Sequence, residues 1–490
     1  MKNIQDLYSP EKHPIKFVQF GEGNFLRAFV DYGIDCANEA NGFDASTVLI
    51  IPIEQNSARM KEFFKEQKNL YTVCLRGNKD GKAYKENRVV KCVDQVVGAY
   101  SDYEKMIALA GIDTLQFVVS NTTEAGIVYE GTEKLTDTPP KSYPAKLTQF
   151  LYRRFKTFNG AHDKGLIVLP VELIDHNGEH LKDCINKYIK LWNLEAEFQA
   201  WVDNDCIIAS TLVDRIVAGY PRAKAPEYEE ELGYHDNLID QAEPFGLWVI
   251  GDSRVEKKLP LNSDKLHVLF TDEIEKFKER KVRILNGAHT SMVLGAYLAG
   301  FDIVRDCMHD PDVRKQLDES VYGEIVPTVH LPIEESKQFA ASVFDRFDNP
   351  FVDHQLLSIS LNSISKWRAR VLPSFKDSIA NNNGKLPKWL TYSFAALLAF
   401  YHTTKKGEGC LIGSRGTNEY DIKDDPEKLD KIAEWSALSD HDYVHTVMTQ
   451  TEWWGEDLTA IAGFEDAVQK HFADIQSKGA KQVIHDLGAK

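Results

Sequence analysis

Three side chains that could assist the reduction of a ketone without a metal ion lie close together in residues 281–289, KVRILNGAH. Hydride transfer to a ketone leaves negative charge on its oxygen, so an acid must supply a proton. The ammonium group of Lys281 can supply it where burial and neighbouring cations lower its pKa towards neutrality. Asn286 can donate its amide N–H to the developing oxyanion, and His289 can orient the substrate or the lysine. The segment predicts general acid–base chemistry at a carbonyl.

Helical spacing brings only part of this set together. Asn286 and His289 are three residues apart and share one face of a helix. Lys281 lies about 80° round the helix from His289 and about 140° from Asn286, so a local bend is needed to unite all three. The cations nearest in the sequence are Lys278, Arg280 and Arg283. A solvated charged face and a simple helix irregularity at Asn286 are the structural alternatives.

A second segment, FVQFGEGNFLRAF from residue 17, has the pattern of a dinucleotide-binding turn. It follows a predicted strand and opens a predicted helix, whose N–H groups can meet phosphates. Gly21 lets the backbone turn, Gly23 lets it approach a pyrophosphate, and Leu26 stands where a third glycine is expected. The candidate cofactor contacts here are Phe20, Gly21, Gly23, Asn24 and Phe25. A strand–turn–helix joint that binds nothing is the alternative.

Two other strand ends carry candidate cofactor contacts. Glu54 follows the second predicted strand, where a carboxylate accepts from the adenosine ribose and repels a 2′-phosphate, which favours NAD over NADP. A surface acid at a strand end is the alternative. A later strand ends in Ser120, Asn121, Thr122, Thr123 and Glu124. Such small polar groups suit either a cofactor crevice or the capped start of a helix.

The predicted secondary structure that must position these residues changes along the chain, from alternating strands and helices to helices. The predicted strands are 15–20, 46–53, 114–120 and 165–170. Helices such as 103–110 and 144–158 alternate with them, which predicts a parallel α/β sheet over 1–270. The long helical patterns farther on are 281–298, 311–326, 333–345 and 386–402. Residues 271–490 are therefore predicted to form a mostly α-helical domain.

Composition restricts the partners. The 490 residues are too many for one core, which predicts two or three domains, and they carry a net charge of −16. An acidic surface disfavours nucleic acid and anionic membranes, which leaves a small molecule as the expected partner. An acidic substrate would need local Lys and Arg side chains to reverse the field. The seven cysteines form no C-x-x-C pair, and the N-terminus lacks a signal-peptide core. Both features predict a reducing cytoplasm.

The chain contains, in order, the segments GEGNFLRAF, NTTEAGI, TLVDRIVAGYPR and KVRILNGAHT. Together they resemble the polyol-specific long-chain dehydrogenases, the mannitol dehydrogenase family. The resemblance implies an N-terminal Rossmann-type domain, a helical C-terminal domain with the substrate and catalytic residues, NAD as cofactor and no catalytic metal. It also implies that Lys281 is the general acid/base, Asn286 polarises the carbonyl and His289 positions the substrate. Gly21 and Gly23 correspond to the pyrophosphate turn.

Further segments, SYPAKLT, EEELGYHD and HQLLSI, resemble the members of the family that act on sugar acids. The resemblance therefore implies a small-molecule sugar acid as substrate. Leu173 departs from the pattern, because the mannitol enzymes carry a second active-site asparagine there. A family arginine that contacts substrate falls near Lys366, with Arg368 close by, so both are candidate substrate contacts. Two alternative functions remain: a reductase of the same family that acts on a different substrate, and a nucleotide-binding sensor without catalysis.

Two further arginines, Arg215 and Arg222, lie in the segment TLVDRIVAGYPR. Each could organise the domain junction or meet a carboxylate. A structural ion pair or a solvated side chain is the preferred interpretation of both, and a guanidinium that is buried is expected to have a partner.

Overall fold

The computed structural model describes residues 1–54, 57–122 and 126–489. They form two compact units. The first comprises Met1–Arg76 with Tyr84–Ile274, and the second comprises Gly77–Ala83 with Glu275–Lys490. No helix in the described ranges combines the length and the apolarity needed to cross a lipid bilayer.

The strands up to residue 270 are short and many are fully buried. They are β1 (Lys2–Asn3), β2 (Ile15–Phe20), β3 (Ser46–Ile51), β4 (Tyr71–Lys79), β5 (Lys82–Val90), β6 (Val93–Gly98), β7 (Phe117–Ser120), β8 (Ile167–Pro170), β9 (Ile207–Ile208), β10 (Thr211–Asp214), β11 (Val217–Gly219), β12 (Tyr234–His235), β13 (Asp240–Ala242), β14 (Leu247–Ile250) and β15 (His267–Phe270). The α-helices between them are α1 (Asn24–Leu26), α2 (Tyr32–Asn41), α3 (Ser57–Glu66), α4 (Tyr103–Ala108), α5 (Tyr143–Thr157), α6 (Asn177–Leu191), α7 (Ala196–Asn204) and α8 (Ala225–Leu232).

A six-stranded parallel sheet forms the centre of the first unit, in the order β6-β3-β2-β7-β8-β9. Its strands are apolar on both faces because helices cover both sides of a parallel sheet. Phe17 and Leu49 pack into one core cluster, whereas Val18 and Ile50 pack into the other. This alternation is the period-2 geometry of a strand. The predicted Rossmann-type parallel sheet is confirmed.

Smaller sheets, which the sequence analysis did not predict, complete the first unit in the orders β11-β13-β4-β5, β10-β14-β15 and β1-β12. The turn between β4 and β5 is Asp80-Gly81, where both residues have positive φ of 54° and 71°. Asp-Gly suits a type I′ hairpin turn because that turn needs positive φ at both central positions. The tip of this hairpin is grouped with the second unit, where Gly81 N donates to Asp345 at 3.0 Å.

The second unit is mostly helical, which confirms the predicted change of class. Its helices are α9 (Ile274–Arg280), α10 (Gly287–Leu298), α11 (Val304–His309), α12 (Pro311–Asp318), α13 (Ile333–Phe347), α14 (Leu356–Ile359), α15 (Ser363–Arg370), α16 (Leu372–Asn381), α17 (Lys388–Tyr401), α18 (Pro426–Trp435), α19 (Asp440–Met448), α20 (Thr451–Trp454), α21 (Phe464–Lys478) and α22 (Ala480–Gly488). Two strands, β16 (Leu411–Arg415) and β17 (Asn418–Ile422), form an antiparallel pair. Helices α10 and α17 are buried on nearly all sides and lie in the core.

Candidate functional site

A π-helical turn, Lys281–Asn286, joins α9 to α10. The N–H that follows the turn bonds to the carbonyl oxygen of Val282, five residues earlier, as the wider π turn requires. Residues five apart in such a turn lie one above the other, so Lys281 and Asn286 share a face. Asn286 and His289 share it through their spacing of three. The π turn supplies the local bend that the sequence spacing demanded, and such turns recur at functional sites.

The start of α10 approaches the end of α15 closely. A Cβ atom on Gly287 would lie 3.1 Å from the backbone carbonyl oxygen of Arg370. That distance is tighter than an ordinary carbon–oxygen contact, so a larger residue would push the two helices apart. Glycine at this position therefore brings the helix that carries His289 next to Arg370.

His289 lies in a partly buried cluster of basic side chains. Its ring stacks on Phe347 with 3.9 Å between centroids and meets the edge of His354 at 5.4 Å. The cluster, called here the His289 cluster, consists of His289, Arg346, His354, Lys366 and Arg370. Burial first, and then the other four members, hold the pKa of His289 well below its usual range. The imidazole is therefore neutral, and its buried Nε2 has no hydrogen-bond partner among the described residues.

Two cations of the His289 cluster, Lys366 and Arg370, form no ion pair with a carboxylate among the described residues. Lys366 donates its Nζ to the carbonyl oxygen of Ile359 at 2.8 Å. Burial and then Arg370 lower the pKa of Lys366, against the opposing effect of Asp424. Burial also lowers the pKa of Arg370, whose guanidinium has neither a hydrogen bond nor an ion pair within the described part of the chain. A half-buried guanidinium of this kind favours an anionic ligand.

Of the two predicted substrate contacts on α15, only Lys366 belongs to this cluster. Arg368 is exposed and donates to the carbonyl oxygen of Glu452 at 3.2 Å. Its charge is not among the main causes of the lowered pKa of His289. The cluster members Arg346, His354 and Arg370 were not singled out from the sequence, because they come from different elements and share no motif.

The cations that precede His289 in sequence are paired with carboxylates. Arg280 is buried and stacks over Phe339 at 4.5 Å, so the run 278–281 is not simply a solvated face. The carboxylate partners of Lys278, Arg280 and Arg283 are Glu275, Glu335 and Asp377, at 3.7, 2.7 and 2.5 Å. The expected cationic neighbours of Lys281 therefore carry their own counter-ions, and the cations without a carboxylate partner in the described residues, Lys366 and Arg370, lie on α15 instead.

The cofactor turn of the first unit has the geometry that its glycines predicted. Gly21 has φ of 130°, and a Cβ there would lie 2.8 Å from Cδ1 of Leu26. Leu26 thus fills the position of the third glycine by packing on the first. Gly23 precedes α1, and a Cβ there would meet no described atom within 4 Å. This open approach to backbone N–H groups fits a pyrophosphate.

The side chains around this turn differ in accessibility. Phe20 is fully buried in the core, so only its backbone can meet a ligand. Phe25 stacks on Phe29 with 4.9 Å between centroids. Asn24 is exposed, and its Oδ1 accepts from Arg27 at 2.6 Å.

Glu54 and the polar residues after β7 lie at the carboxyl ends of the parallel strands. Glu54 is exposed after β3. Burial, and then the Glu54 charge, raise the pKa of Tyr100, which follows β6. Ser120 and Thr122 donate their hydroxyls to Glu172, at 3.2 and 2.9 Å. Asn121 is half-buried and its N–H donates to the carbonyl oxygen of Phe20. Thr123 and Glu124 lie outside the described residues.

Glu172 was missed by the sequence analysis. It is buried, and burial raises its pKa. The signal was its position at the end of β8, because carboxyl ends of adjacent parallel strands meet at one sheet edge. The next residue, Leu173, where the resemblance places a second asparagine in the mannitol enzymes, is 67% exposed. Asn177 instead holds the loop, donating to the carbonyl oxygens of Pro170 and Glu172.

Arg215 has a structural role. It is buried, and it donates to backbone carbonyl oxygens that include those of Ala28 at 2.7 Å and Lys265 at 2.9 Å. Burial lowers its pKa. Carbonyl dipoles, rather than a single carboxylate, thus satisfy this guanidinium. Across the described residues, no group of three or more His, Cys, Asp or Glu side chains is arranged to hold a metal ion.

Sequence comparison decides the family. Residues 15–263 match the Mannitol dehydrogenase Rossmann domain, and residues 273–476 match the Mannitol dehydrogenase C-terminal domain. The chain belongs to the mannitol dehydrogenase family. The family resemblance and the classification as an oxidoreductase of this family are confirmed.

Relatives of this mannitol dehydrogenase family member cover nearly its whole length. It is 41% identical over 484 residues to the altronate oxidoreductase of Escherichia coli O7:K1 (strain IAI39 / ExPEC), which covers 97% of each chain. Its fold is similar to that of D-sorbitol dehydrogenase in substrate-free form, with a TM-score of 0.78, 21% identity and coverage of 99% and 96%. It is also similar to Pseudomonas fluorescens mannitol 2-dehydrogenase in a ternary complex with NAD and D-mannitol, with a TM-score of 0.64, 20% identity and the same coverage.

The depressed pKa of His289 gives a testable prediction. Because burial and four basic neighbours disfavour its charged form, His289 should stay neutral as the pH falls from 8 to 6. NMR of protein labelled at histidine Cε1, with the signal assigned by its loss in His289→Gln, should show a shift that does not titrate in this range. In Arg370→Gln, which removes one cation, the same signal should titrate nearer the usual range. A parent His289 signal that titrates like those of exposed histidines would contradict the assignment.

Proposed function

We propose that this protein is an NAD(H)-dependent oxidoreductase that interconverts D-tagaturonate and D-altronate. The relationship to altronate oxidoreductase over 97% of the chain supports this substrate pair. The observation that carries the proposal in this chain is the pair of cations Lys366 and Arg370 in the His289 cluster, neither of which forms an ion pair with a carboxylate in the described residues. A neutral polyol offers no partner for such charge, whereas the carboxylate of a sugar acid does.

The first unit is proposed to bind the dinucleotide. Gly21 and Gly23 allow the backbone to approach the pyrophosphate, and the exposed Glu54 accepts from the adenosine ribose hydroxyls. A carboxylate at that position favours NAD over NADP. The fold shared with a mannitol 2-dehydrogenase that holds NAD supports the same cofactor. When bound, NADH supplies a hydride to the carbonyl carbon.

The second unit is proposed to handle the ketone. Lys281 gives a proton to the carbonyl oxygen, and in the reverse direction it takes the proton from the hydroxyl. The side-chain amide of Asn286 has no hydrogen-bond partner among the described residues, so it can donate to that same oxygen. His289, being neutral, positions a substrate hydroxyl through its buried Nε2. Arg370 and Lys366 hold the carboxylate.

This assignment of roles makes 1–270 the cofactor domain and 271–490 the substrate and catalytic domain. A reducing, cytoplasmic location is part of the proposal, and the thiols of all seven cysteines, which are buried and form no disulfide, support it.

A panel of ketones tests the proposed function. Loss of NADH absorbance should be slowest with fructose, because tagaturonate and fructuronate carry a carboxylate and fructose does not. Tagaturonate, the proposed substrate, should react faster than fructuronate. NADPH should replace NADH poorly, since Glu54 repels a 2′-phosphate. A preference for fructose would establish a neutral substrate instead. Binding of NADH without turnover of any ketone would favour a non-catalytic sensor.

The charge of Arg370 should matter for acidic substrates only. Arg370→Gln should raise KM for tagaturonate by about 10- to 100-fold, the usual effect of losing a charge-assisted contact, and leave the slow reduction of fructose nearly unchanged. Arg368→Gln is the matched control: it lies on the same helix, is exposed and contacts Glu452. Equal losses with both ketones would show that Arg370 acts on the fold and not on the carboxylate.

Lys281 should be needed for chemistry and dispensable for cofactor binding. Lys281→Met should lower turnover by about 10²- to 10⁴-fold, the range for loss of a general acid, while the Kd for NADH stays within about twofold. Lys278→Met, three residues earlier and beside Glu275, serves as the control and should keep most of the activity. Turnover close to that of the parent in Lys281→Met would remove this lysine from the mechanism.

A further inference from the structure

A cavity in the first unit lies beside the proposed cofactor turn but is built mainly from other elements. Its volume is about 430 Å³. Asn24 and Arg27 line it from the cofactor turn, and α3 contributes Arg59. The residues after β11 and before β13 contribute Arg222 and Asn237. We call it the arginine cavity.

The charge of the arginine cavity is opposite to that of the protein. The chain carries 74 acidic and 58 basic residues, yet the described residues that line the cavity include three arginines and no acidic side chain. Arg27 is balanced, since its Nη2 lies 3.7 Å from Asp240 and its Nη1 donates to the carbonyl oxygen of Leu238. Arg59 and Arg222 are different: within the described residues, neither guanidinium has a hydrogen bond or an ion pair. Two positive charges therefore face the cavity without a counter-ion.

The walls of the cavity are held in place. The Arg59 guanidinium lies 5.1 Å from the centroid of the Phe63 ring, a cation–π contact that orients it. Asn237 is fixed by its backbone N–H, which donates to Gln67, and by its Oδ1, which contacts His235. The backbone before Arg222 is also constrained, because the Asn24 amide occupies the space that a Cβ on Gly219 would need.

We propose that the arginine cavity binds a phosphate monoester. Two guanidinium groups with fork-shaped donor sets suit the dianionic oxygens of a phosphate. The amides of Asn24 and Asn237 can donate to the same group. Met60 and Phe63 provide an apolar wall for the organic part of the ester. The phosphate belongs to a metabolite separate from the dinucleotide, because Glu54 repels a 2′-phosphate in the adjoining turn; this choice of source rests on the proposed preference for NAD.

Calorimetry on the full chain tests the proposal, with glucose 6-phosphate and adenosine 2′-monophosphate as probes and glucose and adenosine as phosphate-free controls. At least one ester should bind, and its phosphate-free partner should not. Arg59→Gln and Arg222→Gln should each weaken that binding about tenfold or more. Arg153→Gln, an exposed arginine on α5 outside the cavity, should leave it unchanged. Arg59 and Arg222 are both exposed, so their variants should keep the parental unfolding temperature.

Two further titrations distinguish a separate metabolite site from a part of the dinucleotide site. Binding of glucose 6-phosphate to protein saturated with NADH would identify a separate metabolite site. A loss of NADPH affinity in Arg59→Gln that exceeds the loss of NADH affinity about tenfold would assign the cavity to the 2′-phosphate of a dinucleotide and overturn the separate site. If neither ester binds, or if the ester binds equally well to both cavity variants, the proposal is overturned. These measurements record binding alone, so they stand or fall independently of the proposed reaction.

Discussion

The proposed chemistry depends on the π-helical turn Lys281–Asn286. In an uninterrupted α-helix, Asn286 would lie about 140° round the axis from Lys281, and no single carbonyl oxygen could meet both. A π turn is a rare departure from the α-helix, so its surroundings must hold it. Two arginines hold the turn in place. Arg283, within it, donates to the carbonyl oxygen of Thr328 and forms an ion pair with Asp377. Arg280, just before it, forms an ion pair with Glu335. The paired cations of this segment thus stabilise the turn.

The His289 cluster is basic although the protein as a whole is acidic. A chain of net charge −16 repels an acidic substrate at long range, so any attraction must be local. Partial burial strengthens a local field, but it also penalises the charged groups that create it. The depressed pKa values of His289, Lys366 and Arg370 reflect that penalty. A bound carboxylate would offset it, which makes the His289 cluster better suited to an anion than to solvent.

The fold was predictable wherever one local pattern decided the structure. Strands β2 and β3 are short β-branched runs between turn residues, and Gly21 marks the turn that follows β2. The dipeptide Asp80-Gly81 favours a tight hairpin turn just as clearly, and it could have predicted the hairpin of β4 and β5. The site was predictable only within the motif 281–289. The helical spacing of the three side chains predicted that the helix must bend locally. It could not predict that the bend is a π turn at 281–286, because spacing does not determine which backbone N–H bonds to which carbonyl oxygen.

The remaining site residues come together only through tertiary packing. Arg346 and Arg370 belong to separate helices, and no spacing in the sequence relates either of them to His289. Gly287 gave no signal beyond a possible helix irregularity, although its lack of a side chain sets the approach of α10 to α15. In the same way, Glu172 reads as an ordinary loop acid until the ends of β7 and β8 are seen side by side.

A crystal structure of the protein with NADH and altronate, a pair that cannot react, examines the central claim most directly. The account predicts that Lys281 Nζ and Asn286 Nδ2 both lie within hydrogen-bond distance of the one altronate hydroxyl that faces the nicotinamide, with the intervening turn still π-helical. An ammonium group of Lys281 turned into bulk water, or a turn that relaxes to α-helix and separates the two side chains, would contradict it.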